Sequence, residues 1–128
     1  MFIINCKNYD EISGDKIIKL AKISQKISKK YKIPIAIAPP HHLIPLIVKF
    51  NVIVLAQHLD DKKIGSTTGF MIPEIVKKSK INGSLINHSE HRIPEKEIKN
   101  MIKRLKRLKL KTVLCVKNVN ESKKYAKL

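Results

Sequence analysis

At 128 residues, 43% of them apolar, the chain is long enough to bury one core, and its most apolar stretch, Leu43 to Ala56, is broken by Pro45, Lys49 and Asn51, well short of the ~20 apolar residues of a membrane span. The net charge of +17 points toward nucleic acid, but all except three of the 27 basic residues are lysines, spread over every prospective helix, and aromatics make up only 5%. Arginine forks and stacking platforms that read bases are therefore scarce, and a lysine-rich solvated surface is the expected meaning.

The chain alternates short β-branched runs with longer amphipathic stretches. Phe2 to Lys7 reads as a strand, and Gly14 to Tyr31 as a helix with Ile17, Leu20, Ala21, Ser24 and Ile27 on one stripe. Ile35 to Ala38 is a second strand, closed by Pro39-Pro40. A brief helix is expected around Leu43 to Lys49, then a third strand over Val52 to Gln57. After a loop containing Gly65 and Gly69, Pro73 opens a helix running to about Lys80, with Glu74 at its N-terminal dipole. Ser84 to Asn87 is the fourth strand. Pro94 opens the clearest helix, striped by Ile98, Met101, Ile102, Leu105 and Leu108, with Glu95 and Glu97 at its start and Lys106 and Lys109 at its end. Thr112 to Val116 is the fifth strand, and a further helix starts at Glu121.

Such β-α alternation with near-continuous apolar strands predicts an α/β fold, a parallel sheet covered by helices. Alternation alone does not separate a barrel from an open doubly wound sheet. The first strand is not followed by a Gly-x-Gly-x-x-Gly turn, and no Walker-type phosphate loop is present, which weakens a dinucleotide or nucleotide reading. The N-terminus has no basic region ahead of an apolar run and no small-residue cleavage site. Cys6 and Cys115 lie far apart in apolar runs, so neither a secretory signal nor a disulfide framework is expected, and the cytoplasm is the expected compartment.

Polar residues gather where strands end: Asn5 and Lys7 after the first, Gln57-His58 after the third, and Asn87-His88-Ser89-Glu90-His91-Arg92 after the fourth. Singly, Lys7 reads as a solvated charge, His88 as a structural histidine, and Glu90 with Arg92 as an ion pair. His88 and His91 have a His-x-x-His spacing, but no second ligand pair accompanies it, so no metal is expected, nor any cofactor. No nucleophile elbow is visible either. Together, a lysine, an amide and a histidine at one rim suit a small anionic substrate whose carbonyl must be polarised.

Taken in order, Asn5-x-Lys7, Ala56-Gln57-His58, Gly65-Ser66-x-Thr68-Gly69, Asn87-His88-Ser89-Glu90-x-Arg92 and Thr112-Val113-Leu114-Cys115 resemble triose-phosphate isomerase, in the form of its short, archaeal-type branch. The resemblance covers essentially the whole chain. It implies the first five β/α units of a TIM (β/α)8 barrel, with residues 1–128 a partial barrel domain that stops before the sixth strand. It also implies interconversion of dihydroxyacetone phosphate and D-glyceraldehyde 3-phosphate through an enediolate, in glycolysis and gluconeogenesis. By resemblance, Lys7 binds the substrate beside Asn5, His88 is the electrophile (a histidine this family is known to keep neutral), and Glu90 and Arg92 brace the site. Thr68 would dock into a neighbouring subunit of a homo-oligomer.

His91 stands where many members have arginine, which alters a surface contact and leaves the chemistry alone. Lys117-Asn118 replaces the Gly-Glu of non-archaeal members. None of the six glutamates lies in the Glu-Pro-Pro context of the family's catalytic base, and the phosphate-binding loops after the seventh and eighth strands are missing. The isolated chain is therefore expected to be inactive until completed by a C-terminal half, on the same or a separate chain. Two alternatives stand beside this reading: a non-catalytic half-barrel serving as a binding or assembly module, and a basic nucleic-acid-binding protein.

Overall fold

The computed structural model describes residues 1–128. Five strands, β1 (Phe2–Asn5), β2 (Ile35–Ala38), β3 (Ile53–Ala56), β4 (Gly83–Ile86) and β5 (Lys111–Leu114), alternate with five helices: α1 (Lys16–Tyr31), α2 (Ile44–Ile47), α3 (Pro73–Lys78), α4 (Glu95–Arg107) and α5 (Val119–Tyr125). None of the helices is long and apolar enough to cross a membrane.

Every strand pairing is parallel and the order across the sheet is β1-β2-β3-β4-β5. This order resolves the ambiguity left by alternation. An open doubly wound sheet reverses direction at a switch point. Here each strand lies beside its predecessor without reversal, which curls the sheet into part of a TIM barrel.

The strands' alternation sorts side chains between two faces. Ile35, Ile37, Val54, Ala56 and Ile86 face the helices and share one core with Ile17, Ile47, Val76, Met101 and Leu105. Ala36, Ala38, Leu55 and Leu85 form a smaller cluster on the other face. The outermost strands carry exposed apolar side chains, Phe2 and Ile3 on β1 and Val116 and Val119 just beyond β5.

Most strands and helices start or stop one or two residues from the sequence reading, β1 for instance ending at Asn5 and β5 at Leu114, and three helices differ in ways that have a physical reason or consequence. On α1 the buried line is Ile17, Ala21 and Ser24, continued by half-buried Ser28, so Ile27 falls one position off it and is 42% exposed. Helix α2 stops at Ile47, two residues early. Helix α5 begins at Val119 rather than Glu121, because the Asn118 side chain accepts from the Glu121 N–H (2.9 Å) while Glu121 Oε2 accepts from the Lys117 N–H (2.8 Å), a reciprocal cap. The end of α4 closes by paired bonds, Lys109 N–H to Lys106 O and Leu110 N–H to Leu105 O, with Lys109 at φ +57°. That is a Schellman motif in which a lysine holds the left-handed position glycine usually fills.

Candidate active site

Two strand ends leave the sheet through left-handed residues. Lys7 has φ +50° and Asn87 φ +60°, conformations that persist only where neighbours hold them. Lys7 is held from both sides: its N–H donates to Asn5 Oδ1 (3.1 Å), and its carbonyl accepts from Gln57 Nε2 (2.9 Å). The same Gln57 amide donates to Ala38 O (3.2 Å), so one side chain at the end of β3 fastens the ends of β1 and β2. Asn87 works similarly after β4, accepting from the Ile93 N–H (3.2 Å) and donating to Cys115 O (3.0 Å). It thereby clamps the turn that carries His88 and Glu90.

These turns line a cavity of ≈ 770 Å3 at the C-terminal ends of the strands, which brings together Asn5, Lys7, His88 and Glu90. The His88 ring is oriented by the backbone: the Glu90 N–H donates to Nδ1 (3.2 Å). A nitrogen that accepts carries no proton, so the neutral ring bears its hydrogen on Nε2. Nε2 lies 3.4 Å from Asn5 Nδ2. The Asn5 amide oxygen is taken by the Lys7 N–H, which fixes the amide's orientation and turns its NH2 toward His88. Two donors thus lie side by side, an arrangement in which both can point to one oxygen acceptor on the cavity side.

Lys7 Nζ meets Glu90 Oε1 at 2.8 Å. The hydrogen bond between them pushes the Lys7 ammonium up and the Glu90 carboxyl down from their ordinary values. Both side chains are solvent-facing, so the pair orients the ammonium more than it stabilises the fold. Glu90 therefore pairs with Lys7, and the simple Glu90–Arg92 ion pair read from sequence does not form. Arg92 instead lies 3.7 Å from Glu121 and donates weakly to Cys115 O (3.5 Å), joining the β4 turn to the end of β5. Thr68 is exposed on the loop between β3 and α3 and does not line the cavity.

Sequence reasoning missed a second group of residues on the same cavity wall. The His58 and His91 rings stack with centroids 3.9 Å apart and planes 20° apart. The His58 N–H donates to His41 Nε2 (3.2 Å), and His58 Nε2 lies 3.5 Å from Asp60 Oδ1. Burial lowers the affinity of His58 for a proton; the neighbouring His91 adds to this and Asp60 opposes it. His41 is lowered too, first by burial and then by His58. Nothing local signals this convergence, because the three histidines lie on three different segments. No group of three or more His, Cys, Asp or Glu side chains is arranged to hold a metal ion, and stacked imidazoles direct their nitrogens side by side instead of toward one point. Burial raises the Cys6 thiol to about 11 and also raises Cys115, so neither is an activated nucleophile.

The loop after β3 is anchored by Arg104 of α4. Its guanidinium grips Glu74 with two bonds (2.9 and 2.5 Å), reaches Asp61 Oδ1 (3.2 Å) and donates to Lys62 O (2.7 Å).

With this geometry in hand, comparison with known proteins is specific. The sequence profile of the family described as "Triosephosphate isomerase" matches residues 1–128. A triosephosphate isomerase of Cenarchaeum symbiosum is 44% identical over 122 residues, covering 95% of this chain and 55% of that relative. One from Methanocaldococcus jannaschii is 39% identical over 129 residues, covering 100% of this chain and 59% of that relative. The crystal structure of triosephosphate isomerase from Bartonella henselae superposes with a TM-score of 0.74 at 21% identity, covering 99% of this chain and 54% of that one. The chain thus spans a little over half the length of these relatives, and the match lies in the N-terminal portion of the barrel.

Proposed function

Since the chain belongs to the triosephosphate isomerase family, we propose that its cavity forms part of an isomerase site for dihydroxyacetone phosphate and glyceraldehyde 3-phosphate. The observation that carries this reading is the convergence of Lys7, the Asn5 amide and an Nε2–H of His88 whose tautomer the Glu90 N–H selects. The reaction moves a proton between two adjacent carbons through an enediolate. Donors already aimed at the carbonyl oxygen stabilise the charge that develops there without reorganising. The Lys7 ammonium offsets the substrate's negative charge, Glu90 orients it, and Arg92 braces the turn.

A carbon base must complete the site, and Glu90 does not fit that role. Its carboxyl is bonded to the Lys7 ammonium and held low, which makes it a weak proton acceptor. We assign the base, and most of the grip on the phosphate, to β/α units that complete the barrel, supplied on this chain or another. Those units would also cover the apolar side chains of β1 and of the segment beyond β5. Thr68, exposed on its loop, would dock into a second subunit, and the complete enzyme would work in the cytoplasm.

The test is a coupled isomerase assay of the 128-residue chain alone and after mixing with the C-terminal half of the Cenarchaeum symbiosum relative. We expect no turnover alone and turnover in the mixture. His88→Gln and Lys7→Met in that mixture should each lower kcat by roughly 100- to 10,000-fold. Full-rate turnover by the chain alone would remove the need for a further base. Unchanged activity in His88→Gln would remove the site.

A further inference from the structure

We propose that the His58–His91 stack is a proton-operated latch between the segment after β3 and the segment after β4, closed while both rings are neutral and released on protonation. No hydrogen bond or ion pair joins residues 57–72 to residues 87–94; each segment is bonded within itself or to other parts of the fold. The stack, at 3.9 Å between centroids, is a polar-ring contact that spans them, beside the apolar core that Leu59, Met71 and Ile93 share. His91 follows Glu90 directly and lies three residues beyond His88, so the latch also steadies the turn that presents both to the cavity.

The charges around the stack decide its response. From the segment after β3, Asp60 lies 3.5 Å from His58 Nε2 and favours the first proton, but its other oxygen already accepts from the Met71 N–H at 2.7 Å. From the turn before α2, His41 meets the His58 backbone and His42 adjoins it, contributing positive charge when protonated. From the segment after β4, His88 lines the same cavity, and Glu90 is neutralised by Lys7 of the β1 turn. Asp60 is therefore the one unneutralised carboxylate beside the three imidazoles in direct contact, His41, His58 and His91, with His42 and His88 further along the same cluster. Two stacked imidazolium rings repel, and although His91 faces solvent, His58 is only 8% exposed, so water screens the pair from one side only. His91 is thus a positioning residue for the β4 turn. The inference is read from the rings themselves and stands whether or not the cavity turns over a triose phosphate.

The experiment is imidazole NMR of the isotopically labelled chain from pH 8 to pH 4.5, following ring titration and ring-to-ring nuclear Overhauser contacts. We expect His58–His91 ring contacts at pH 8 that disappear on acidification, with a His58 midpoint below the ordinary value of about 6.5. His91→Phe retains an aromatic face and removes the second charge. It should raise the proton affinity of His58 by at least about threefold and keep the ring contact at pH 5. A purely structural stack would show no pH-dependent opening. Ring contacts absent at pH 8, or unchanged at pH 5, would overturn the latch, as would a His58 midpoint indifferent to His91→Phe. Should the variant fail to fold, the contact titration of the unaltered chain decides alone.

Discussion

Replacing Arg104 by methionine keeps most of the side chain's apolar bulk and removes its charge, so it isolates the anchor between α4 and the loop after β3. The Arg104 side chain is 13% exposed, Asp61 23% and Glu74 25%. An exposed pair contributes about 0–1 kcal/mol, whereas removing one partner of a buried pair costs about 3–5 kcal/mol because the other charge is stranded. With all three side chains only partly buried, but with a bidentate grip on Glu74 and a further bond to Lys62 O, the loss should fall between these limits, about 2 kcal/mol, or roughly 7 °C in Tm for a chain of this size. The pH dependence supplies a signature. The hydrogen bond from Arg104 depresses the Glu74 carboxyl. Its contribution is therefore present above the unfolded midpoint of about 4.3 and is lost as pH falls through the lower folded value. Arg104→Met should flatten that acid limb. Urea denaturation at pH 7 and across the acid range, with a double-mutant cycle against Glu74→Gln, measures both effects. A loss at pH 7 below ~0.5 kcal/mol, or a coupling energy that small, would refute the anchor.

Other outcomes follow from single observations. Gly83→Ala would drive a Cβ into the Lys111 backbone carbonyl, so β4 and β5 should separate, with a loss of at least about 3 kcal/mol in thermal denaturation. Lys109→Gly should raise stability by about 0.5–1 kcal/mol in the same assay, since relief of ~1–2 kcal/mol of left-handed strain exceeds the extra chain entropy of glycine, ~0.5–1 kcal/mol. His41 and His58 are both lowered by burial, so their neutral-state contribution is complete above the unfolded midpoint of about 6.5 and is lost as pH drops below it toward the folded values; denaturation midpoints compared at pH 7.5 and pH 5 should show this fall. Cys6, its thiol raised to about 11, should react with iodoacetamide at pH 7.5 far more slowly than free cysteine, as mass spectrometry of the labelled chain would reveal.

The order of elements, the buried line of α4 and the positions of Asn5, Lys7 and His88 at strand ends were legible in the sequence alone. Each depends on local periodicity: an apolar stripe at i, i+3 and i+4 or an alternation of period two settles which face is covered. Partner identity was not legible. Glu90 lies two residues from Arg92 yet pairs with Lys7, 83 positions away, because the β4 turn faces the β1 turn across the cavity. Gln57 could be placed at a strand end, but its hold on the Lys7 carbonyl requires β1, β2 and β3 to lie side by side in that order. His41, His58 and His91 are each unremarkable in sequence, and only the curl of the sheet brings their three segments to one wall. Periodicity acts within a few residues of chain, whereas register and curvature act across the whole sheet, and the contacts that orient charge in this cavity arise from the latter.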